Sequence, residues 1–153
     1  MKKSLFAISG SALLLFVLGS WFAISAQPSD QAEILQIEKQ TAMGEQRNDV
    51  SMMRLFSDDY VIAGGVKALT KKQFEENIKN NFATHENGIN PYTIEKKNMQ
   101  VYVFGDTAVA TYLKEYKQIG DASHAFTEDD TDILTRSPHS WVIRMTRLSR
   151  PTS

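Results

Sequence analysis

The spacing of apolar residues after position 30 predicts helices first and strands later. The first stripe recurs at roughly helical intervals: Ile34, Leu35, Ile37, Thr41 and Ala42. This spacing predicts an amphipathic helix. Asp30, with Glu33 three residues later, is the capping-box pattern that begins such a helix. A second, shorter helix is predicted over Val50–Phe56, with Asp49 as its cap.

A third helix is predicted between one early strand and four later strands. Tyr60–Ala63 is a short run of β-formers that stops at Gly64. A helix is predicted from Thr70, because Phe74, Ile78 and Phe82 lie at i, i+4 and i+8. Four later strands are predicted at 92–104, 107–118, 124–136 and 141–148, the first with a break near 96–98. The order α-α-β-α-β-β-β-β favours an α+β fold over a parallel α/β sheet.

Residues 1–26 have the pattern of a secretory signal peptide. A basic start precedes the apolar run Leu5–Phe22, and small residues then lead to a polar segment. This order is typical of a signal peptide with its cleavage site, and cleavage after Ser25 or after Ala26 fits the pattern. An uncleaved membrane anchor is the alternative, because the run is only a little shorter than the roughly 20 residues of a span. We therefore expect a periplasmic or secreted protein with a single domain over residues 27–153.

Composition excludes several classes of function. The 153 residues include no Cys, which rules out thiol catalysis, Cys-ligated zinc and lipid attachment through Cys. The formal net charge is −1 with interspersed signs, so there is no electrostatic case for a nucleic-acid partner. The three histidines, His85, His124 and His139, are far apart in the sequence. No metal site and no cofactor are predicted.

Three short segments in a fixed order carry a resemblance to a known superfamily. They are Leu55–Val61, Gly105–Val109 and Trp141–Arg144, and they follow the entry helix in the expected places. The order resembles the nuclear transport factor 2-like superfamily, and within it the ketosteroid isomerase-like or SnoaL-like domains, especially a branch known only as a domain of unknown function. The resemblance implies a cystatin-like α+β cone, with a curved antiparallel sheet wrapped around the N-terminal helix and enclosing a cavity. It also implies a homodimer formed through the sheet.

The resemblance does not supply the catalytic groups of ketosteroid isomerase. That mechanism needs a carboxylate base and an oxyanion site that contains a Tyr. Matching the chain on Asp58-Asp59 places the base position at Gly64 and the Tyr position near Gln40. Isomerisation by that mechanism is therefore not expected.

Other side chains are weaker candidates for chemistry in the cavity. Asp59, Asp130 and His124 are the candidate acid–base residues, although Asp59 also fits a turn and His124 a surface position. Strand alternation places Asp130 and Asp132 on one face. Candidate ligand-binding aromatics are Tyr60, Tyr112 and Trp141, which also fit a plain core. Alternation does not decide which face of the strand around Tyr112 points inward.

Three functions remain open from the sequence. The first is an exported domain that binds a small, largely apolar ligand in the cone. The second is a cofactor-independent acid–base enzyme of the isomerase, dehydratase or cyclase kind that uses a cavity carboxylate. The third is an envelope interaction or structural module. The superfold hosts many unrelated functions, so the resemblance does not choose among them.

Overall fold

The computed structural model describes residues 29–64, 67–84 and 90–149, with the side chains of 81–84 and 122 excepted. The predicted leader lies outside these ranges, as do His85 and the side chain of Phe82. Within them, no helix has the length and apolar character that crossing a membrane requires.

The described chain follows the predicted helix and strand order closely. Its elements are α1 Asp30–Gln46, a 3-10 helix Val50–Leu55, β1 Phe56–Ala63, β2 Leu69–Thr70, α2 Lys71–Thr84, β3 Tyr92–Phe104, β4 Thr107–Gln118, β5 Asp121–Arg136 and β6 Trp141–Ser149. The α+β class is therefore confirmed. The predicted second helix is a 3-10 helix one residue shorter than expected, because Phe56 is already extended. The two-residue β2 was not predicted.

Local capping interactions explain where the helices begin. The Ser29 hydroxyl, rather than the Asp30 carboxylate, accepts a hydrogen bond from the Ala32 amide at the start of α1. The Asp49 carboxylate caps the 3-10 helix as expected, accepting from the Ser51 amide at 2.9 Å. At the start of α2, the Thr70 amide donates to the Gln73 side chain at 3.0 Å and the Gln73 amide donates to the Thr70 hydroxyl at 3.4 Å, which together form a capping box.

The sheet has the strand order β2-β1-β6-β5-β4-β3. The curved antiparallel sheet is confirmed, with one exception: β1 pairs with β6 in parallel. A parallel pair needs a long crossover connection, and the segments between β1 and β6 provide it. Bulges interrupt the register between Lys97 and Gln100 and between Ile133 and Leu134. Such bulges bend strands and increase their twist, which lets these long strands curve.

Helix α1 contacts β3 and β6 on the inner face of the sheet. Along β4, burial alternates so that Ala108, Ala110, Tyr112 and Lys114 point inward. This settles the orientation that the sequence left open. The core joins α1 to the sheet and the 3-10 helix, and it contains Ile34, Ile37, Met52, Met53, Phe56, Tyr60, Ile78, Ala108, Ala110, Leu134, Trp141 and Ile143.

Trp141 links the start of α1 to the turn between β5 and β6 by hydrogen bonds and packing. Its side chain is fully buried, and its indole N–H donates to the Asp30 carboxylate at 3.3 Å. The Trp141 amide donates to the Glu33 carboxylate at 3.0 Å. The Arg136 guanidinium lies 4.4 Å from the centre of the indole ring and 2.7 Å from Asp30. These contacts hold the N-terminal end of α1 against the sheet.

Gly64 permits a close approach between the ends of β1 and β6. Its φ is +110°, and a Cβ there would lie 2.0 Å from the Leu148 carbonyl oxygen. Gly105 also has a positive φ of +61°, but a Cβ there would meet no atom within 4 Å.

We predict that Gly64→Ala destabilises the domain more than Gly105→Ala does. Gly105→Ala should cost about 1 kcal/mol, because only the left-handed backbone is penalised. Gly64→Ala adds a backbone clash and should cost about 2 kcal/mol or more. Denaturant unfolding of both variants measures the difference, and equal costs would show that the strand contact does not constrain this position.

Candidate functional site

A cavity of about 130 Å³ lies between the C-terminal half of α1 and the inner sheet face. Its apolar wall is formed by Phe56, Ile62, Phe74, Ile143 and Leu148. Its polar wall is formed by Thr41, Glu45, Tyr60, Lys96, Tyr112, Lys114, Tyr116, Glu128, Asp132 and Thr146. An engineered apolar cavity of about 150 Å³ accepts benzene, so this space suits a compound of single-ring size.

Lys96 from β3 is the centre of the first polar cluster. Its ammonium lies 2.5 Å from the Glu38 carboxyl and 3.6 Å from Asp132, and it donates to the Thr41 hydroxyl at 2.9 Å. Burial alone would lower the pKa of Lys96, but the Glu38 and Asp132 carboxyls raise it overall. Burial raises the pKa of the Glu38 carboxyl. The positive charge on Lys96 is thus retained inside the fold by the surrounding carboxyls.

A chain of hydroxyl groups links two cavity tyrosines to Asp132. The Asp132 carboxylate accepts from the Tyr112 hydroxyl at 2.7 Å and also from the Thr146 hydroxyl. Because Thr146 donates its proton to Asp132, it accepts from the Tyr60 hydroxyl, which lies 2.7 Å away. Burial raises the pKa of both tyrosines, so their hydroxyls stay protonated and act as donors.

Lys114 from β4 is the centre of the second polar cluster. Its ammonium lies 2.6 Å from the Glu45 carboxylate and 5.2 Å from the centre of the Tyr116 ring. The pKa of Lys114 is raised well above its usual value, since Glu45 outweighs the effect of burial. The Tyr116 hydroxyl in turn donates to Glu128 at 3.2 Å. Helix α1 therefore supplies one carboxyl to each buried lysine.

Asp130 is the least satisfied side chain of this region. It is 1% exposed, and neither carboxyl oxygen has a hydrogen-bond partner in the described parts of the chain. Burial raises the pKa of Asp130 to about 7. Its strand neighbours on the inner face are Glu128 and Asp132, and its register partners are Tyr112 and Leu148. All four of these neighbours line the cavity.

The structure distributes the predicted site residues over three regions. Tyr60 and Tyr112 line the cavity, whereas Trp141 lies outside it, against the N-terminal end of α1. Asp59 is on the surface, 2.7 Å from Arg144, and the Ser57 hydroxyl lowers the pKa of its carboxyl. His124 is also exposed and lies 2.8 Å from Asp121. Of the three candidate acid–base residues, only Asp130 lies beside the cavity.

The positions that correspond to ketosteroid isomerase carry no equivalent groups. Gly64 leaves no room for a side chain beside Leu148. Gln40 lies on α1 in a surface groove with Met43 and Arg47, outside the cavity. In the described ranges, no three His, Asp or Glu side chains are grouped closely enough to hold a metal ion.

The paired lysines and their carboxyls were missed at the sequence level, although a signal for them exists. Glu38, Thr41 and Glu45 follow Ile34 at intervals of four, three and four residues, which places them on the buried stripe of α1. Lys114 lies between Tyr112 and Tyr116 on one strand face. Polar residues at inward positions of both elements indicate a buried polar cluster.

Comparison with known proteins assigns the domain. The family model of the SnoaL-like domain matches residues 37–153. The chain belongs to the SnoaL-like domain family. No curated protein matches it.

Solved structures similar to this SnoaL-like domain support the same fold. A protein of unknown function with a cystatin-like fold from Nostoc punctiforme has a TM-score of 0.70 and 14% identity, covering 83% of this chain and 95% of its own. An NTF2-like protein of unknown function from Pseudomonas putida has a TM-score of 0.68 and 20% identity, covering 83% and 92% respectively. At these identities the likeness concerns the fold alone.

We predict that Asp130→Asn stabilises this SnoaL-like domain, and increasingly so as pH rises. The carboxyl titrates near 3.8 in the unfolded chain and near 7 in the fold. A raised pKa means that the folded state is favoured by protonation, so stability is lost as pH rises from about 4 to about 7. Asn removes that loss, which amounts to a few kcal/mol at pH 8.

Thermal unfolding between pH 4 and pH 8 checks this prediction. The gain in midpoint temperature for Asp130→Asn should grow up to about pH 7 and then level off. Asp129→Asn is the matched control, because Asp129 is exposed on the outer face of the same strand. A gain independent of pH would contradict the proposed ionisation of Asp130.

Proposed function

We propose that this SnoaL-like domain binds a small organic ligand in the cavity between α1 and the sheet. The observation that carries this proposal is a ring-sized space with an apolar wall on one side and tyrosines and ionisable groups on the other. Ligand sites typically combine apolar walls with a few convergent polar groups. The polar wall favours a ligand that carries a polar group. The proposed ligand is therefore a molecule with an apolar part and a polar group, rather than a largely apolar one.

The free energy of folding that is lost by burying charged groups in this interior also supports a binding role. Burying charged groups costs free energy even when they are paired, and apolar residues of similar volume often serve a core equally well. Asp130 adds a carboxyl that gains no hydrogen bond from the described chain. A purely structural core has no use for such a group, whereas a binding site can require it.

Acid–base catalysis is the second candidate, and one observation favours it. A general base acts best when its pKa is close to the working pH. Burial places the pKa of Asp130 at about 7, and Asp130 lies between two carboxyl residues that line the cavity. In this alternative, Asp130 would accept a proton from the bound molecule without any cofactor.

We predict that Leu148→Trp prevents ligand retention. Leu148 is half-buried on the apolar wall, and an indole in its place fills a large part of the space. Native mass spectrometry of the purified chain should show a small-molecule adduct that is lost in Leu148→Trp. Arg147→Trp is the matched control, because Arg147 is the exposed neighbour on the opposite face. Adduct retention by both variants would locate the ligand elsewhere, and its absence from the parent protein would favour the interaction module.

We further propose that the domain forms a homodimer through its outer sheet face. An apolar row crosses this face in register and consists of Tyr102, Val109, Ile133, Met145 and Val61. Tyr102 and nearby Phe104 are 49% and 66% exposed. Contiguous exposed apolar surface of this kind is typical of protein–protein interfaces.

Export of the protein, followed by removal of its leader, is also our proposal. It is supported by the signal-peptide pattern of residues 1–26. We expect the native mass of protein purified from its source to equal two copies, each beginning at Ala26 or Gln27. A single-copy mass would contradict the dimer, and a chain beginning at Met1 would favour the uncleaved membrane anchor.

A further inference from the structure

The acidic and basic side chains around the cavity are unequal in number. Five carboxyl side chains line or border it, namely Glu38, Glu45, Glu128, Asp130 and Asp132, against the two ammonium groups of Lys96 and Lys114. Both ammonium groups are already in ion pairs, at 2.5 Å from Glu38 and 2.6 Å from Glu45. An anionic ligand would have to compete with these carboxyls, whereas a cationic ligand would balance them.

The hydroxyl protons of the cavity wall are also committed. Tyr112 and Thr146 donate to Asp132, and Tyr116 donates to Glu128. The carboxyl oxygens of Asp130, in contrast, accept no hydrogen bond from the described residues. The wall therefore has acceptor capacity to spare, and a ligand that donates hydrogen bonds complements it.

The carboxyls of β5 form a continuous row on the inner face. Glu128, Asp130 and Asp132, here called the β5 carboxyl row, alternate with outward residues and are all buried. The two outer members of the row line the cavity, and Asp130 lies between them. A cation beside this row would interact with three carboxyls in a region of low dielectric, where such attraction is stronger than in water.

Aromatic rings on the same walls suit a positive charge. The Lys96 ammonium lies 4.2 Å from the centre of the Tyr112 ring, and that of Lys114 lies 5.2 Å from the Tyr116 ring. Tyr60 adds a third ring, packed 4.5 Å from Phe56 between ring centres. Electron-rich ring faces attract organic cations.

We propose that the ligand is a small organic cation, a ring-bearing amine, whose ammonium group binds against the β5 carboxyl row while its ring packs among the cavity tyrosines. This inference rests on the proposed binding function and adds the chemical class of the ligand. Glu38 and Glu45 are already paired with lysines, so Asp130 supplies the negative charge for the ammonium group. The bound amine would then be the partner that the buried Asp130 carboxyl lacks among the described residues.

Three ring compounds of equal size and different charge test the inference. Benzylamine, benzyl alcohol and benzoate are titrated into the full chain at pH 8, and binding is measured by calorimetry. Benzylamine should bind at least about tenfold more tightly than benzyl alcohol, as expected for a charge-assisted contact. Benzoate should bind more weakly than either.

Two variants assign the preference to the carboxyl row. Asp130→Asn should remove most of the advantage of benzylamine over benzyl alcohol, and its own thermal unfolding verifies that it is folded. Asp129→Asn, on the outer face, should retain the advantage. If Asp130→Asn weakens all three compounds equally, Asp130 has a general structural effect and the inference is overturned.

The pH dependence provides a second readout. Between pH 6 and pH 8 the affinity for benzylamine should rise about tenfold, because the ionised fraction of a group with pKa near 7 rises by that factor. The titratable groups that face Asp130 are Tyr112 and Lys114 from β4, Lys96 from β3, and its own strand neighbours Glu128 and Asp132. Glu38 of α1, whose pKa is also raised, interacts with Lys96 and Asp132. If the pH dependence is lost in Asp130→Asn, it arises from the titration of Asp130 and not from that of the surrounding groups.

Other outcomes distinguish this inference from the function on which it rests. Tighter binding of benzyl alcohol or benzoate would overturn the amine class and leave cavity binding intact. If none of the three compounds binds, the amine inference fails. The proposed binding function is then decided separately by native mass spectrometry, which shows whether the parent chain carries an adduct that Leu148→Trp loses.

Discussion

The burial of two ammonium groups is the constraint on which the interior of this domain depends. Lys96 and Lys114 project from neighbouring strands into a space covered by α1. Unpaired charges there would cost more than the domain could offset, so each lysine requires a carboxyl at contact distance. Glu38 and Glu45 provide these carboxyls from α1. The position of the helix over the sheet is therefore fixed by ion pairs at its C-terminal half as well as by apolar packing at its N-terminal half.

Curvature of the sheet is the second requirement for this arrangement. A flat sheet would pack its inner side chains directly against α1, whereas bulges in β3 and β6 bend the strands and increase the twist of the sheet. The parallel pairing of β1 with β6 brings Tyr60 close to Thr146. The hydroxyl chain from Tyr60 through Thr146 therefore crosses the parallel pair and joins β1 to Asp132 on β5.

Much of this fold could be predicted from the sequence, because local patterns carried the information. Long strands with strict alternation, such as 107–118, coincide with the observed β4. Asn98 has a φ of +53° in the bulge of β3, where a break was expected near 96–98. The parallel β1–β6 pair could not be predicted, since it joins residues about 85 positions apart that carry no turn signal. Of the residues around the cavity, Asp130 was a candidate because strand alternation groups it with Asp132, and Tyr60 and Tyr112 were candidates because large aromatics commonly line small-molecule sites. The ion pairs of Lys96 and Lys114 depend on the rotation of α1 over the sheet, which residue spacing on one element does not reveal.

The hydrogen bond between Trp141 and Asp30 lies at the end of α1 where the described chain begins. Asp30 and Glu45 stand near opposite ends of α1, about 22 Å apart at 1.5 Å per residue. The described chain therefore begins at the Trp141 end of α1, and the cavity lies beside Glu45 near the other end of the helix. A tether through the N-terminus would hold the domain by the Trp141 end of α1 and leave the end beside Glu45 away from the attachment point.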